Sequence, residues 1–220
     1  MRERAASSKM GQLATSPYHS LAVLWPIIAM LGLTICLQVN AVSAEVVNFD
    51  DLDSGVFLTG GHYAGITWEE GSAGSGGLAG VWYTPGSANY PHSSPRNVDN
   101  AQGSTLMGIG FPNPVDMQGA YFSVQGSPAT VWATAIRVHG YRGGIEVRTT
   151  EWLAPFTTTP QWLEMGSLTN VDRVLVEAAP ATSSSLGGFG MDDLTFTYVP
   201  EPASLSLLAL SGLLLRRRRR

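Results

Sequence analysis

Two acidic motifs lie near the two ends of the central part of this sequence. FDDL contains Asp50 and Asp51, and MDDL contains Asp192 and Asp193. If the strands that carry them are neighbours, four carboxylates come together and repel one another unless a cation lies between them. Calcium prefers six to eight oxygen ligands of this kind. The motifs therefore predict a structural Ca²⁺ site, and the alternative is that these are separate, solvated aspartates in turns.

A second group of residues has the chemistry of a sugar-binding site. Sugars stack an apolar face on aromatic rings, while polar side chains hydrogen-bond to their hydroxyl groups. Suitable side chains lie in or beside two long segments rich in Gly, Ser and Pro, 71–80 and 86–103. They are Trp82, Tyr83, Tyr90, His92, Arg96 and Asn97. The alternative for any tryptophan is packing in the core, which we expect for Trp132.

Catalytic motifs are missing from the sequence. It contains neither a GxSxG nucleophile elbow nor an HExxH metal motif. Residues 45–199 hold no cysteine and only three histidines, His62, His92 and His139. This segment contains several glutamates, as any acidic domain does, so their presence does not by itself indicate the paired catalytic carboxylates of a glycosidase. We therefore expect a protein that is not an enzyme.

Charge limits the partners of the central segment. Residues 45–199 contain 15 acidic and 5 basic residues, which gives a net charge of −10, and they include no lysine. Such a segment repels phosphate backbones, so nucleic acid is a poor partner, whereas divalent cations are tolerated.

The elements that position these residues are predicted to be strands. Short runs rich in Val, Ile, Thr, Tyr, Phe and Trp recur between Gly, Pro, Asn and Ser, a pattern typical of strands and turns. The runs are 45–50, 64–69, 80–84, 104–111, 115–124, 130–139, 143–151, 160–165, 171–178 and 189–198. Several alternate apolar with polar residues, as strands of antiparallel sheets with one wet face do. The pattern predicts an all-β fold, an antiparallel β-sandwich of jelly-roll type.

One hairpin is predicted in particular. Tyr141-Arg142-Gly143-Gly144 separates two alternating runs, and glycine adopts the positive φ that tight hairpin turns need. In the second run Ile145 and Val147 alternate with Glu146 and Arg148, so we expect one buried and one wet face.

The first 44 residues have the order of a secretory signal peptide. A basic start precedes the apolar stretch 21–37, and small residues at Val42 and Ala44 match a signal peptidase site. The segment predicts an N-terminal signal helix, export and cleavage by signal peptidase, and the alternative is an uncleaved anchor. The one cysteine, Cys36, lies inside this segment, so the mature protein would be built without disulfides.

The C-terminal segment, 199–220, has three parts in a fixed order. They are the motif Val199-Pro200-Glu201-Pro202, an apolar stretch at 203–215 and five arginines at 216–220. As a helix the apolar stretch measures roughly 20 Å, short of a hydrocarbon core of about 30 Å. The arginines should stay in the cytoplasm. This predicts a short transmembrane helix that suits transient processing, and the alternative is an ordinary tail anchor.

These three parts resemble the PEP-CTERM sorting signal of Gram-negative bacteria. In that family an exosortase recognises the tail, removes it and releases or attaches the protein at the cell surface. The family is associated with biofilm and exopolysaccharide production. The resemblance implies an exosortase-like processing enzyme as a partner, a transient membrane contact, and a final location at the cell surface, outer envelope or extracellular matrix.

The central domain, 45–198, carries a looser resemblance. FDDL opens it and DDLTF closes it, with about ten predicted strands between, which is similar to jelly-roll domains that precede PEP-CTERM tails. It also resembles carbohydrate-binding modules and galactose-binding-like domains, many of which hold a structural Ca²⁺ near their termini. The resemblance implies an exported surface or matrix protein that binds polysaccharide. A structural protein without a ligand and an extracellular polysaccharide-active enzyme remain open as alternatives.

Overall fold

Strands make up all of the regular structure in the part of the chain that the structure describes. The computed structural model describes residues 43–69, 82–84, 90–100, 105–125, 133–180 and 187–200. All of them belong to one unit, Val42–Glu201. In these ranges no helix is long and apolar enough to cross a membrane. Almost all of the signal segment, the apolar tail, Glu201, Pro202 and Trp132 lie outside them.

All strand pairs in the described ranges are antiparallel, as the alternating patterns predicted. The strands are β1 (Glu45–Val47), β2 (His62–Tyr63), β3 (Ile66–Trp68), β4 (Val98–Asp99), β5 (Leu106–Val124), β6 (Ala133–Arg142), β7 (Ile145–Thr149), β8 (Gln161–Glu164), β9 (Val171–Pro180) and β10 (Phe189–Tyr198). The all-β, antiparallel prediction is confirmed, and its jelly-roll subtype stays a prediction.

The long strand β5 belongs to two halves of the sheet. Residues 106–110 pair with β9, and two of them also pair with β3. Residues 115–124 pair with β10, part of this stretch pairs with β8, and Val115 alone also pairs with β9. The register shifts between Gly110 and Val115, where Pro112 and Pro114 cannot donate hydrogen bonds to a ladder. We call β3, β9, β6, β7 and residues 106–110 half I. We call β1, β4, β10, β8 and residues 115–124 half II.

One apolar core joins the two halves. It includes Ile136 and Val138 of β6, Ala120 and Phe122 of β5, and Phe196 of β10. Each lies on the inward face of its strand, and the alternation predicted this face for the residues of β5 and β6. Burial of this apolar surface is the main stabilising contribution that we expect, because residues 45–199 contain no cysteine for a disulfide.

The predicted hairpin is confirmed, but the burial predicted for its second strand is wrong. Arg142 pairs with Ile145, so Gly143 and Gly144 form a two-residue turn, with φ of +56° and +80°. Ile145 and Val147 are 72% and 50% exposed. They belong to β7, which ends the sheet order and is irregular opposite β6. Alternation cannot distinguish a strand over the core from one that extends beyond it.

Other strand predictions differ in their limits. Runs 104–111 and 115–124 form the single strand β5, and run 64–69 contains β3 alone, because β2 ends at Tyr63 just before it. In run 80–84 the described residues make only isolated bridges, from Tyr83 to Phe57 and to Asp99. The short strand β4 lies in segment 86–103, which the sequence predicted to be irregular throughout.

Candidate functional site

The second acidic motif lies at a bulge in β10. Three steps along β10, from Asp192 to Thr195, oppose two steps along β5, from Tyr121 to Gly119. Asp193 takes φ of +48°, which is uncommon for a residue with a side chain. A bulge of this kind redirects the side chains beside it. The carboxylates of Asp192 and Asp193 can therefore both bind residues of loop 90–97, which lies against this strand.

Loop 90–97 is held against the sheet largely by carboxylates. The Ser93 N–H donates to Asp192 Oδ2 at 2.8 Å, and His92 Nδ1 lies 2.6 Å from Asp193 Oδ2. Farther along, the Arg96 N–H donates to Asp50 Oδ1 at 3.2 Å. Hydrogen bonds to charged acceptors are stronger than neutral ones, so these contacts fix the position of the loop.

Asp192 is the buried member of this arrangement, with 2% of its surface exposed. Burial raises the pKa of Asp192 to about 7, and the charge of Asp193 adds to the rise. The N–H groups of Ser93 and Asp193 donate to its two oxygens and oppose the rise without cancelling it. Asp192 therefore exchanges its proton near neutral pH.

The four aspartates do not come together as a calcium clamp requires. Asp50 accepts from Arg96 and Asn48, and Asp51 accepts from the Tyr63 hydroxyl at 2.5 Å. Asp192 and Asp193 are bound to Ser93 and His92 of the loop. Within the described ranges, no three His, Cys, Asp or Glu side chains are grouped so that they could hold a metal ion. The four carboxylates therefore do not form one group in the described ranges, and the structural Ca²⁺ predicted for these aspartates stays a prediction.

A row of rings crosses the outer face of half II. The His92 ring is stacked on Tyr121, with centroids 3.4 Å apart and planes 4° apart. Tyr121 meets Trp162 of β8 at 5.1 Å and 62°. Trp162 is 36% exposed, and the His92 side chain is 43% exposed. We call this set, His92, Tyr121 and Trp162, the aromatic row.

A glycine and a carboxylate position Trp162. A Cβ at Gly119 would lie 2.2 Å from Trp162 Cζ2, so the indole occupies the space directly over this glycine. The indole Nε1–H donates to Glu164 Oε2 at 3.1 Å, and Glu164 Oε1 accepts from the Gly166 N–H at 3.1 Å. The ring and the carboxylate beside it are therefore both held in place before any ligand arrives.

The six residues predicted for a ligand loop divide into two groups. Tyr90 is 43% exposed and, like His92, belongs to loop 90–97 next to the aromatic row. Arg96 is half-buried, and its Nε–H donates to the Leu52 carbonyl. Asn97 is only 3% exposed, so it supports the loop from beneath.

Trp82 and Tyr83 do not join that face. Trp82 is fully buried, and its Nε1–H donates to the Gly108 carbonyl at 3.0 Å. It is therefore a core residue and cannot stack on a sugar in this arrangement. Tyr83 packs on exposed Phe57, with centroids 4.8 Å apart.

Sequence reasoning missed Trp162, Glu164 and the role of Tyr121. The alternation of 115–124 placed Tyr121 on the outer face, which was a usable signal. Nothing in the sequence indicated that β8 pairs with β5 so that Trp162 lies opposite Tyr121. Such pairing between distant segments is decided by the tertiary fold.

The outer face of half I has a different composition, an ion-pair network. Glu177 Oε2 lies 2.5 Å from Arg137 Nε and 2.7 Å from His139 Nε2. Arg173 pairs with Glu69 at 2.7 Å, and the Arg137 guanidinium lies 4.4 Å from the Trp152 ring centroid. Here the charged side chains are bound chiefly to one another.

Comparison with known proteins assigns no family. No family model matches the sequence, and no curated protein matches it. Among solved structures, the chain is similar to CBM51 from Clostridium perfringens GH95, solved in complex with methyl-galactose. The match covers 70% of this chain and 100% of that chain, at 12% identity and a TM-score of 0.32. A TM-score this low supports no argument about the ligand of this protein.

Proposed function

We propose that this protein is an exported, non-enzymatic polysaccharide-binding protein of the cell surface or extracellular matrix. The observation that carries the proposal is the aromatic row on half II. An exposed indole, fixed over a glycine and flanked by a carboxylate, is a suitable platform for a pyranose ring, which places its apolar face on the ring and its hydroxyls on polar neighbours.

The hydrogen bonds of Ser93 favour a binding role for this face over nucleophilic catalysis. In a Ser–His–Asp triad the serine hydroxyl donates to the histidine, which acts as the base. The Ser93 hydroxyl donates to Asp193 Oδ1 at 3.1 Å and to Asp192 Oδ2 at 3.2 Å. His92 reaches Asp193 through Nδ1. Both side chains therefore serve to hold loop 90–97 in place.

Glycan binding by the full-length chain tests the proposal. We expect Trp162→Ala to weaken binding to a polysaccharide array by about 5- to 150-fold, because stacking of a ring on an aromatic side chain contributes about 1–3 kcal/mol. Trp152→Ala is the matched control, since Trp152 is similarly exposed, at 39%, but lies beside Arg137 on half I. Equal binding by wild type and Trp162→Ala, or no binding to any glycan, would contradict the proposal.

Export and sorting form the second part of the proposal. The support is the sequence alone: a signal-like start at 1–44 and the Pro200-Glu201-Pro202 motif followed by an apolar stretch and five arginines. We expect the protein to reach the cell surface or medium of a Gram-negative host with a functional exosortase. Changing the three motif residues to alanine should leave an unprocessed chain in the membrane fraction, detected by its larger mass. Normal processing of that variant would contradict the sorting role.

A further inference from the structure

The five arginines of residues 45–199 are unevenly distributed over the two halves. Arg137 and Arg142 lie on β6, Arg148 on β7 and Arg173 on β9, all in half I. The fifth, Arg96, belongs to loop 90–97, where it is half-buried and its Nε–H donates to the Leu52 carbonyl. The described strands of half II carry no arginine, and the segment has no lysine.

Carboxylates dominate the polar groups around the aromatic row. Glu164 lies at the indole edge of Trp162, and Asp193 lies against His92 at the other end of the row. Asp116, on the same stretch of β5 as Tyr121, adds a further negative charge in this half. His92 lies at the Asp193 end of the row, and in the described part of the chain no arginine is paired with Glu164 at the Trp162 end.

Glu164 places a negative charge at a fixed position beside the indole of Trp162. Its Oε2 is 3.1 Å from Nε1 at the rim of the indole, and Oε1 is held by the Gly166 N–H. A pyranose stacked on the indole projects its equatorial substituents outward past the ring rim. A substituent on that side meets a fixed carboxylate, which stabilises an ammonium group and disfavours a second carboxylate.

We infer that the aromatic row selects glycans whose sugars carry free, protonated amino groups, namely de-N-acetylated hexosamine polymers. The inference rests on the proposed polysaccharide binding and specifies its ligand class. Trp162 supplies the stacking surface, and Glu164 supplies the charge that recognises the amine. Uronic acid polymers are repelled by the same carboxylates.

The test compares short oligosaccharides by calorimetry with the full-length chain. The probes are hexamers of β-1,4-linked glucosamine, N-acetylglucosamine and glucuronic acid, with hexalysine as a cationic peptide. We expect the glucosamine hexamer to bind at least tenfold more tightly than its acetylated counterpart, and the glucuronic acid hexamer and hexalysine to bind at least a hundredfold more weakly than the glucosamine hexamer. Raising the pH until the amines lose their protons should abolish the preference and leave the acetylated hexamer unaffected.

Variants separate a specific contact from general attraction to a negatively charged protein. Glu164→Gln should bring the two hexosamine affinities within about threefold of each other. Glu151→Gln removes the same charge from an exposed position that follows β7 in half I, and it should keep the full preference. An equal loss in both variants, or equal affinity of wild type for both hexosamines, would overturn the inference.

Two results distinguish this inference from the proposed function beneath it. If neutral glycans bind in a manner that depends on Trp162 but without preference for amines, the ligand class is wrong and polysaccharide binding stands. If no glycan binds at any pH, both are wrong.

Discussion

The two ends of β5 show how one strand builds two different surfaces. In half I the Glu69 side chain lies over Gly108, and a Cβ there would be 2.3 Å from Glu69 Oε2. In half II the Trp162 indole lies over Gly119 in the same way. Each glycine allows a neighbouring side chain to lie flat on the sheet. One of these side chains is a flexible carboxylate bound to Arg173, and the other is a rigid ring open to solvent.

The two outer faces differ in whether their charged side chains are paired with one another. On half I, Glu177 is bound by two cationic or ionisable partners, and Glu69 by a third. On half II, the aromatic row leaves exposed ring surface beside Glu164, whose hydrogen bonds come from two N–H groups. An outer face whose polar groups are already paired has less to offer a ligand, so the contrast favours half II as the binding face.

The largest effect of pH on the unfolding free energy should come from the loss of the proton on Asp192. Because its pKa is about 7 in the folded protein and about 4 when unfolded, its contribution to stability is fully present below pH 4 and is lost as the pH rises towards 7. We expect the wild type to lose a few kcal/mol of unfolding free energy between pH 5 and pH 8. Urea unfolding at both values measures this.

Asp192→Asn is the matched variant, since its amide cannot ionise. Its unfolding free energy should vary far less between pH 5 and pH 8, whatever its absolute stability. A wild-type slope that persists in Asp192→Asn would assign the pH dependence to another group.

Gly119→Ala should be the next largest change. The new methyl would lie 2.2 Å from the indole and 2.6 Å from the Leu163 carbonyl oxygen, which is backbone and cannot swing away. We expect a loss of about 1–3 kcal/mol in thermal or urea unfolding, typical of overpacking. Gly108→Ala should cost less, because the three nearest atoms to its new methyl all belong to the Glu69 side chain and none to backbone. An equal or larger cost at Gly108 would remove the distinction between the two ends of β5.

A smaller effect is expected from the network on half I. Burial works to raise the pKa of Glu177, but hydrogen bonds from Arg137 and His139 outweigh it and hold the pKa below its usual value. Because the folded pKa is lowered, this stabilisation is present above the unfolded pKa and is lost as the pH falls through the folded one. Glu177→Gln should therefore destabilise the protein by roughly 1 kcal/mol at pH 7, and by less near pH 3.

Chemical unfolding at the two pH values measures this difference, with Glu151→Gln as the control for net charge. The pH dependence has the opposite sign to that of Asp192, so acid removes the contribution of Glu177 and restores that of Asp192. A Glu177→Gln cost that grows at low pH would show that the network does not act through this carboxylate.

The smallest effect is expected at β7. Ile145 is 72% exposed, so Ile145→Thr should change the unfolding free energy by less than about 0.5 kcal/mol. Ile136, fully buried on the adjacent strand, is the contrasting position, where truncation to Ala should cost about 2–5 kcal/mol. Thermal melts of both variants provide the measurement. A large loss at Ile145 would mean that something covers β7 in solution.

Much of the local structure could be predicted because it depends on neighbours in the chain. The inward faces of β6 and β9, and the Gly143-Gly144 turn, follow from alternation and from the positive φ of glycine. The same rule misjudged Ile145, since alternation does not report how far a strand extends past the core. The first and last strands do pair, as expected, yet this pairing does not gather the four aspartates.

By itself, the sequence determined the all-β class, the antiparallel pairing, the absence of disulfides in residues 45–199 and their negative charge, because composition and period-two patterning are local properties. The tertiary structure alone decided that β5 serves both halves, that Asp192 is buried under loop 90–97, and that Trp162 lies over Gly119 beside Tyr121. Those contacts join segments far apart in the chain, and their geometry depends on register and bulges that no short stretch encodes.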